Sequence, residues 1–161
     1  MGRGAFPDGH ELCLEMPGMH GNYTATTSIQ NADLLIAIGV RFDDRVTANP
    51  SFFAQNAKVI HADIDPAEIG KVRDAQVPIV GDAKSVIKGL IEALGDEKLD
   101  TENWVSELKE MKTEFPLSYK QEDKGPLKVP YVLEELQKLT KEEAIVAVSY
   151  THLTLPTMMS V

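Results

Sequence analysis

The chain has 161 residues, a length at which a folded chain can bury one core. Of these residues, 43% are hydrophobic and 25% are charged, which is typical of a globular domain. The 16 basic and 25 acidic residues give a net charge of −9, which argues against nonspecific binding to nucleic acid or to an anionic membrane surface. Cys13 is the single cysteine, so an internal disulfide is excluded and a reducing compartment is indicated. No apolar run approaches the roughly 20 residues of a membrane span, and we expect a cytoplasmic protein with no membrane or nucleic-acid partner.

Three short apolar runs predict a parallel sheet. Residues 33–39 form a continuous apolar run that ends in glycine, which is typical of a strand buried on both faces. Residues 58–65 predict a second strand and residues 77–80 a third. Pro78 lacks an N–H, so we expect the third strand to lie at an edge or to begin there.

Helices are predicted before, between and after these strands. We expect them at residues 24–31, near residues 50–55, at residues 66–73 and after residue 82. Asp65 is placed to cap the third of these helices, while Asp82 and Gly95 are placed to begin and end the fourth. The alternation of strand and helix predicts an α/β layered domain with a mostly parallel sheet.

The composition changes after this domain. Residues 101–114 predict an amphipathic helix that uses Trp104, Leu108 and Met111, within a strongly charged stretch. Residues 115–130 are rich in proline and poor in apolar residues, which is typical of a linker. A further helix at 131–139 and a strand at 144–148 then predict the start of a second domain. We therefore divide the chain into residues 1–95, 96–130, 131–147 and a tail at 148–161.

Candidate binding residues follow the predicted strands, because ligands of open α/β sheets bind at the carboxyl ends of the strands. Gly39 would let a ligand approach the backbone after the first strand, and Arg41 and Arg45 would supply donors to a phosphate or a carboxylate. A solvated loop with Arg–Asp pairs explains the same residues. After the second strand, Asp63 and Asp65 are suited to accept hydrogen bonds from ribose hydroxyls, or are merely solvated and capping.

Two further positions have a structural explanation beside the functional one. For Asp82, helix capping is the favoured explanation. His20 is a lone histidine, and such residues are more often structural than ligands. The other histidines have no zinc-site spacing, and the sequence contains no P-loop and no nucleophile elbow.

A series of short segments makes the sequence more specific than its pattern. In chain order they are Gly4-Ala5-Phe6-Pro7, Pro17-Gly18-Met19-His20-Gly21, Asn31-Ala32-Asp33-Leu34-Leu35, Gly39-Val40-Arg41-Phe42-Asp43-Asp44-Arg45-Val46-Thr47, Asp63-Ile64-Asp65-Pro66-Ala67-Glu68-Ile69-Gly70-Lys71 and Gly81-Asp82-Ala83. The series resembles the central domain of the catalytic large subunit of the acetolactate (acetohydroxyacid) synthase family. The resemblance extends from about residue 1 to about residue 147.

The resemblance implies a fold and an activity for the parent enzyme. The central domain of that family is a Rossmann-like parallel sheet with helices on both faces, and it binds FAD in a largely structural role. The enzyme depends on thiamine diphosphate and Mg²⁺, which lie in the first and third domains. It decarboxylates pyruvate and joins the two-carbon unit to pyruvate or 2-oxobutyrate, towards branched-chain amino acids. A homodimer or tetramer with a regulatory small subunit is implied for the parent.

The resemblance also implies which residues contact FAD. The family's FAD-binding stretches match two parts of this chain, residues 20–41 and residues 63–82. His20 and Gly21 would lie along the cofactor, and Gly39, Val40, Arg41 and Arg45 near its phosphates and flavin end. The set at the adenosine end would be Asp63, Ile64, Asp82 and Ala83, with Asp65 beside them.

The sequence also departs from the family pattern. Because the family's catalytic glutamate and its glycine-rich FAD loop have no counterpart here, we expect an N-terminally truncated fragment that is inactive and binds FAD weakly or not at all by itself. We interpret the tail at residues 148–161 as sequencing-adapter read-through, because residues 148–157 read as the translation of a common adapter, with a genuine divergent tail as the alternative. Two other functions stay open: another thiamine-diphosphate-dependent decarboxylase or carboligase, and a stand-alone nucleotide-binding module.

Overall fold

Residues 4–140 are described by the computed structural model of the chain. The strand predicted at 144–148 and the tail at 148–161 lie outside the described residues. The described part contains a sheet, a cluster of buried side chains on one of its faces, and helices that flank the sheet or continue the chain beyond it.

Within residues 4–140 the sheet has three parallel strands in the order β1-β2-β3. β1 is Leu34–Ile38, β2 is Lys58–Asp63 and β3 is Val77–Val80. Ala37 of β1 lies opposite His61 of β2, which in turn lies opposite Pro78 of β3. The predicted parallel sheet is therefore confirmed. In the part of the sheet that the structure describes, Pro78 lies in an edge strand, which is where a residue without an N–H is tolerated.

The expectation that β1 is buried on both faces is wrong within the described residues. Leu34 is 47% exposed and Ile36 is 48% exposed, whereas Ala37 is buried. Successive side chains of a strand point to opposite faces, so one face of β1 meets the core and the other is open. The apolar run reported the hydrophobicity of both faces correctly, but the described residues cover only one of them.

Helices occupy most of the predicted positions. They are α1 (Tyr23–Asn31), α2 (Asp44–Thr47), a 3₁₀ turn (Pro50–Phe52), α3 (Ala83–Leu94), α4 (Glu102–Glu114) and α5 (Val129–Thr140). The side chain of Asp82 accepts a hydrogen bond from Ser85 N, and Gly95 ends α3 with a positive φ of 55°, as the sequence predicted. α5 begins two residues before the predicted helix, so the irregular segment between α4 and α5 is slightly shorter than expected.

The helix predicted at residues 66–73 is wrong. The segment contains only turns, in which Glu68 N donates to Asp65 O at 3.2 Å and Lys71 N to Glu68 O at 3.4 Å. These are bonds to the third preceding residue, and Gly70 interrupts the segment with a positive φ of 74°. Asp65 does cap the first turn, accepting from Ala67 N at 2.9 Å, but a cap without room for further turns does not offset the cost of starting a helix.

The core lies on one face of the sheet. Its buried members are Ala37, Phe42, Phe53, Ala54, Ala57 and Val59. His61 is fully buried on the same face of β2, and its ring lies edge-on to Phe42 with 5.0 Å between centroids. The segment between β1 and β2 therefore folds back over the sheet and supplies much of the core.

Helix α4 packs back on the first part of the chain. Lys109 Nζ lies 2.8 Å from Glu11 Oε2, and Lys112 Nζ donates to Cys13 O at 3.0 Å. The rings of Tyr23 and Phe115 are 4.3 Å apart. Leu108 is buried in α4, while Trp104 and Met111 are half-buried, as the predicted amphipathic pattern requires. The charged stretch after α3 thus contains a docked helix before the irregular segment begins.

Candidate functional site

The carboxyl ends of the three strands form one continuous sheet edge. Gly39 N donates to Ala62 O at 2.8 Å, and Gly81 N donates to Asp63 O at 3.0 Å, so the parallel ladders extend one residue past β1 and β3. Neighbouring strands lie about 4.8 Å apart. Gly39, Asp63 and Gly81 therefore lie side by side, and the structure brings together three of the segments singled out in the sequence.

The carboxylates at this edge are held by backbone N–H groups. Asp63 is half-buried, and its Oδ1 accepts from Asp65 N at 2.9 Å. Asp82 is exposed and caps α3 through Ser85 N at 3.1 Å. A carboxylate has about four acceptor sites, so each keeps capacity for a ligand hydroxyl. Ile64, which follows Asp63, is 73% exposed and presents an apolar surface between the acidic groups, and Ala83 is exposed beside Asp82.

The turn between β1 and α2 carries Arg41, and the first turn of α2 carries Arg45. Arg41 lies 3.5 Å from Asp43, and Arg45 lies 2.9 Å from Asp44, so the Arg–Asp pairs that the sequence allowed are present. Both guanidinium groups remain largely exposed, and a guanidinium has five N–H donors. The pairs and an anionic ligand are therefore compatible. The sequence analysis missed helix α2, whose first turn is capped by Asp43 through Arg45 N.

The glycine-rich turn at residues 18–21 lies against helix α2. Met19 N donates to Arg45 O at 2.8 Å. A Cβ on Gly21 would lie 2.1 Å from Met16 O, so only glycine fits at this position without a shift of the backbone. His20 is half-buried, and its Nδ1 is buried without a hydrogen-bond partner among the described residues. The turn thus brings a polar atom that lacks a partner among the described residues into the region of Arg45.

A cavity of about 500 Å³ lies between this turn, β1 and α2. Three of the predicted residues line it, namely His20, Val40 and Arg45. The remaining predicted residues lie outside its walls, and they are Gly21, Gly39, Arg41, Asp63, Ile64, Asp65, Asp82 and Ala83. The predicted residues consequently form two groups, one in the cavity and one along the sheet edge, joined by the turn that carries Gly39 to Arg45.

Sequence reasoning missed several residues of this region. Met16, Pro17 and Asp43 line the cavity, and His61 supports its floor from below, with Nε2 2.8 Å from Val40 O. A signal was available for Asp43, because Asp three residues before Val46 suits a helix N-cap. The role of His61 had no local signal, since the residue lies in the interior of β2.

Two absences hold for residues 4–140. No group of three or more His, Cys, Asp or Glu side chains in that range is arranged to hold a metal ion. No helix in the described part of the chain is long and apolar enough to cross a membrane.

Residues 1–90 match the family described as "Thiamine pyrophosphate enzyme, central domain". The chain belongs to this family. The matched range contains the three strands described within residues 4–140 and every candidate cofactor residue. The α/β fold class predicted from the sequence is thereby confirmed.

Individual relatives of this central domain carry one name. The chain is 49% identical to "Acetolactate synthase" of Mycobacterium avium over 156 residues, which is 94% of this chain and 25% of that protein. It is 49% identical to "Acetolactate synthase large subunit" of Corynebacterium glutamicum over 90% of this chain and 24% of that protein. It is 45% identical to "Acetolactate synthase 1, chloroplastic" of Zea mays over 91% of this chain and 23% of that protein. The resemblance seen in the sequence is confirmed, and the chain spans about a quarter of the length of the curated relatives it matches.

Proposed function

We propose that this chain is a central-domain segment of an acetolactate synthase catalytic subunit. The observation that carries the proposal is the 49% identity to acetolactate synthase over 94% of the chain. In the proposed parent enzyme, pyruvate is decarboxylated and the two-carbon unit is joined to pyruvate or 2-oxobutyrate. Following the resemblance, we assign thiamine diphosphate and Mg²⁺ to the first and third domains of the parent.

We propose that this segment contributes to FAD binding. Three features of the structure support the fit: an exposed Gly39 with open space above its Cα, a pair of exposed arginines, and the partnerless Nδ1 of His20. FAD is an elongated dinucleotide with an anionic pyrophosphate. The site offers the guanidinium donors of Arg41 and Arg45 to that pyrophosphate, and the side chains of His20 and Asp63, on either side, can accept hydrogen bonds. The resemblance gives bound FAD a structural role, so it supplies order rather than a redox step.

The chain's own residues would divide the work of holding this cofactor. Gly39 lets a phosphate approach the backbone closely, and Arg41 and Arg45 donate hydrogen bonds to its oxygens. Asp63 accepts from ribose hydroxyls, and exposed Ile64 offers apolar contact to a base. In the cavity, the His20 ring donates or accepts a hydrogen bond. Further contacts in this proposal come from Gly21, Val40, Asp65, Asp82 and Ala83.

The proposal extends to organisation and partners. Residues 1–95 belong to the FAD-binding domain, and residues 131–147 begin the C-terminal thiamine-diphosphate-binding domain. Residues 96–130, a charged helix and a linker, connect these two domains. Assembly as a homodimer or tetramer with a regulatory small subunit is proposed for the parent. The proposed location is the cytoplasm, although the Zea mays relative is named as chloroplastic.

A segment replacement tests the function. The matching segment of the Corynebacterium glutamicum large subunit is replaced by this chain's residues up to 140, and a control chimera carries the Mycobacterium avium segment. We expect both chimeras to retain FAD through gel filtration and to form acetolactate from pyruvate. A chimera that folds and assembles like the control, yet retains no flavin and forms no acetolactate, would overturn the proposal. Nucleotide binding without activity would favour the stand-alone module.

A further inference from the structure

We propose that His61 is the positioning residue of the candidate cofactor site, acting from beneath the turn that joins β1 to α2. The inference rests on the proposed FAD role for the consequence it draws, but its structural part concerns this chain alone. His61 touches neither the cavity nor the sheet edge. It acts through Val40 and Phe42, which form the turn.

The first contact is a buried hydrogen bond. His61 is fully buried, and its Nε2 lies 2.8 Å from Val40 O across a separation of 21 residues. A carbonyl oxygen only accepts, so Nε2 must carry a proton in this contact. Nδ1 is buried without a partner among residues 4–140, so a proton on Nδ1 would be a buried donor with no acceptor. In the neutral imidazole, the contact with Val40 O therefore selects the tautomer with its proton on Nε2.

The second contact is aromatic. The ring of Phe42 lies edge-on to His61 at 5.0 Å and edge-on to Phe53 at 5.8 Å. Phe42 is also held at a φ of 53°, in the left-handed region that a bulky residue rarely adopts. Such a conformation persists only where surrounding contacts hold it in place. His61 and Phe53 supply those contacts.

Together the two contacts fix the direction in which the turn leaves the sheet. Val40 lines the cavity, and Arg41 lies between Val40 and Phe42 in the chain. Arg45 follows Phe42 by three residues and also lines the cavity. If the Val40 carbonyl lost its donor, the backbone that positions both arginines would no longer be held in place. His61 thus sets the geometry of a site to which it contributes no ligand.

The unmodified 161-residue chain provides the first test. We expect nitrogen NMR of the histidine rings to show His61 protonated at Nε2 and not at Nδ1, with slow exchange of the Nε2 proton. The opposite tautomer would overturn the proposal, because His61 would then offer Val40 O no donor. Rapid exchange of the Nε2 proton would also overturn it, because the contact would then open too often to hold the turn. This measurement needs no variant, so it decides the question even if a substitution prevents folding.

Three variants of the full chain provide the second test. His61→Leu removes the donor at similar volume, His61→Gln keeps a donor at the Nε2 position, and Leu108→Ala removes buried surface from α4, outside the core cluster that contains Phe42. The hydrogen-bonded amides that flank the turn are those of Gly39, Val46 and Thr47. We expect their hydrogen exchange to accelerate about tenfold in His61→Leu, the factor for one lost buried hydrogen bond. His61→Gln should restore protection, and Leu108→Ala should leave these amides unchanged. Equal acceleration in His61→Leu and Leu108→Ala would overturn a positioning role.

The chimera described above provides the third test. We expect His61→Leu to weaken FAD binding about tenfold, with His61→Gln restoring most of it. Unchanged binding in His61→Leu would overturn the proposal for the site. Failure of the unmodified chimera to bind FAD would instead overturn the proposed function, while the tautomer and exchange measurements would still decide the role of His61 in the turn.

Discussion

Gly18 and Arg45 approach each other so closely that a Cβ on Gly18 would lie 2.3 Å from the Arg45 carbonyl oxygen. The same oxygen accepts a hydrogen bond from Met19 N at 2.8 Å. Gly18 also has a φ of 100°, which disfavours any side chain. The glycine-rich turn and helix α2, which together bound the cavity, are therefore joined backbone to backbone, and this junction depends on the absence of a single methyl group.

We expect Gly18→Ala to separate these two segments. The substitution combines a steric clash with a backbone conformation that costs about 1–3 kcal/mol for other residues, so the free energy of unfolding should fall by at least that amount. Chemical denaturation measures the loss. Gly9→Ala is the matched control, because its Cβ meets nothing within 4 Å and its φ is not positive. Equal stability of the two variants would contradict the close approach.

Gly89 offers the opposite experiment. It lies inside α3, and a Cβ there would meet nothing within 4 Å. We expect Gly89→Ala to raise the free energy of unfolding by roughly 0.5–1 kcal/mol, because alanine loses less conformational freedom in a helix. An increase in the midpoint of thermal unfolding would report the gain. A decrease would show that something in the molecule occupies the space beside Gly89.

Asp82 separates capping from a charge requirement. Its side chain accepts from Ser85 N at 3.1 Å at the start of α3. We expect Asp82→Ala to lower the free energy of unfolding by ~1 kcal/mol, and Asp82→Asn to have little effect, since asparagine caps helices equally well. Denaturation curves of the two variants test this. If Asp82→Asn were as destabilising as Asp82→Ala, the negative charge rather than the cap would be the stabilising feature.

Glu11 links acid pH to the docking of α4. Its hydrogen bond with Lys109, and then the charge of that lysine, hold the pKa of Glu11 below its ordinary value of 4.5. A depressed folded-state pKa contributes stability that is present above the unfolded value and lost as pH falls through the folded value. We therefore expect the contact to be intact at neutral pH and to weaken on acidification below about 4.5. Carbon NMR of the Glu11 carboxyl group follows this titration.

Lys109→Gln is the matched variant for that titration. It removes the charge and leaves a shorter polar side chain on α4. The pKa of Glu11 should then rise towards its ordinary value, and the acid-dependent change in the Glu11 region should move to higher pH with it. An unchanged titration in Lys109→Gln would show that another group, such as His10, controls the carboxylate.

Tyr119 links alkaline pH to the segment before α5. Its hydroxyl donates to the carboxylate of Glu134, and this bond raises the pKa of Tyr119 to about 12. A raised folded-state pKa contributes stability that is fully present below the ordinary value of 10 and lost as pH rises through the folded value. We expect ultraviolet titration to place the Tyr119 transition near 12, assigned by its disappearance in Tyr119→Phe. Glu134→Gln should move the transition down towards 10, and no movement would contradict the contact.

Several elements of the fold could be predicted because their signals are local. The strand at Leu34–Ile38 follows from its apolar run, and the ends of α3 follow from a capping aspartate and a terminating glycine. The prediction of a helix at 66–73 was wrong because its signal was also local. The cap at Asp65 marks where a helix could begin, but it does not indicate how soon the chain must return to enter β3. Local signals describe where an element begins better than whether there is room for it.

The candidate site could be predicted only in part. The rule that ligands of parallel sheets bind at the carboxyl ends of strands led to Gly39, Asp63 and Asp82, and the structure places them along one edge. The cavity beside His20 could not be predicted from that rule, because its wall depends on the contact between Met19 and Arg45. The family resemblance suggested which residues would contact the cofactor, but it gave no distances between them.

The sequence by itself determined the α/β class, the three parallel strands and the family, because these depend on short apolar runs, turn residues and specific strings of letters. Only the tertiary structure decided that His61 supports Val40, 21 residues away, and that Lys109 meets Glu11, 98 residues away. The physical reason is that such contacts arise from how the elements pack. A buried imidazole and a distant carboxylate leave no periodic or local mark in the chain, and their roles exist only once the backbone has brought their partners within hydrogen-bond distance.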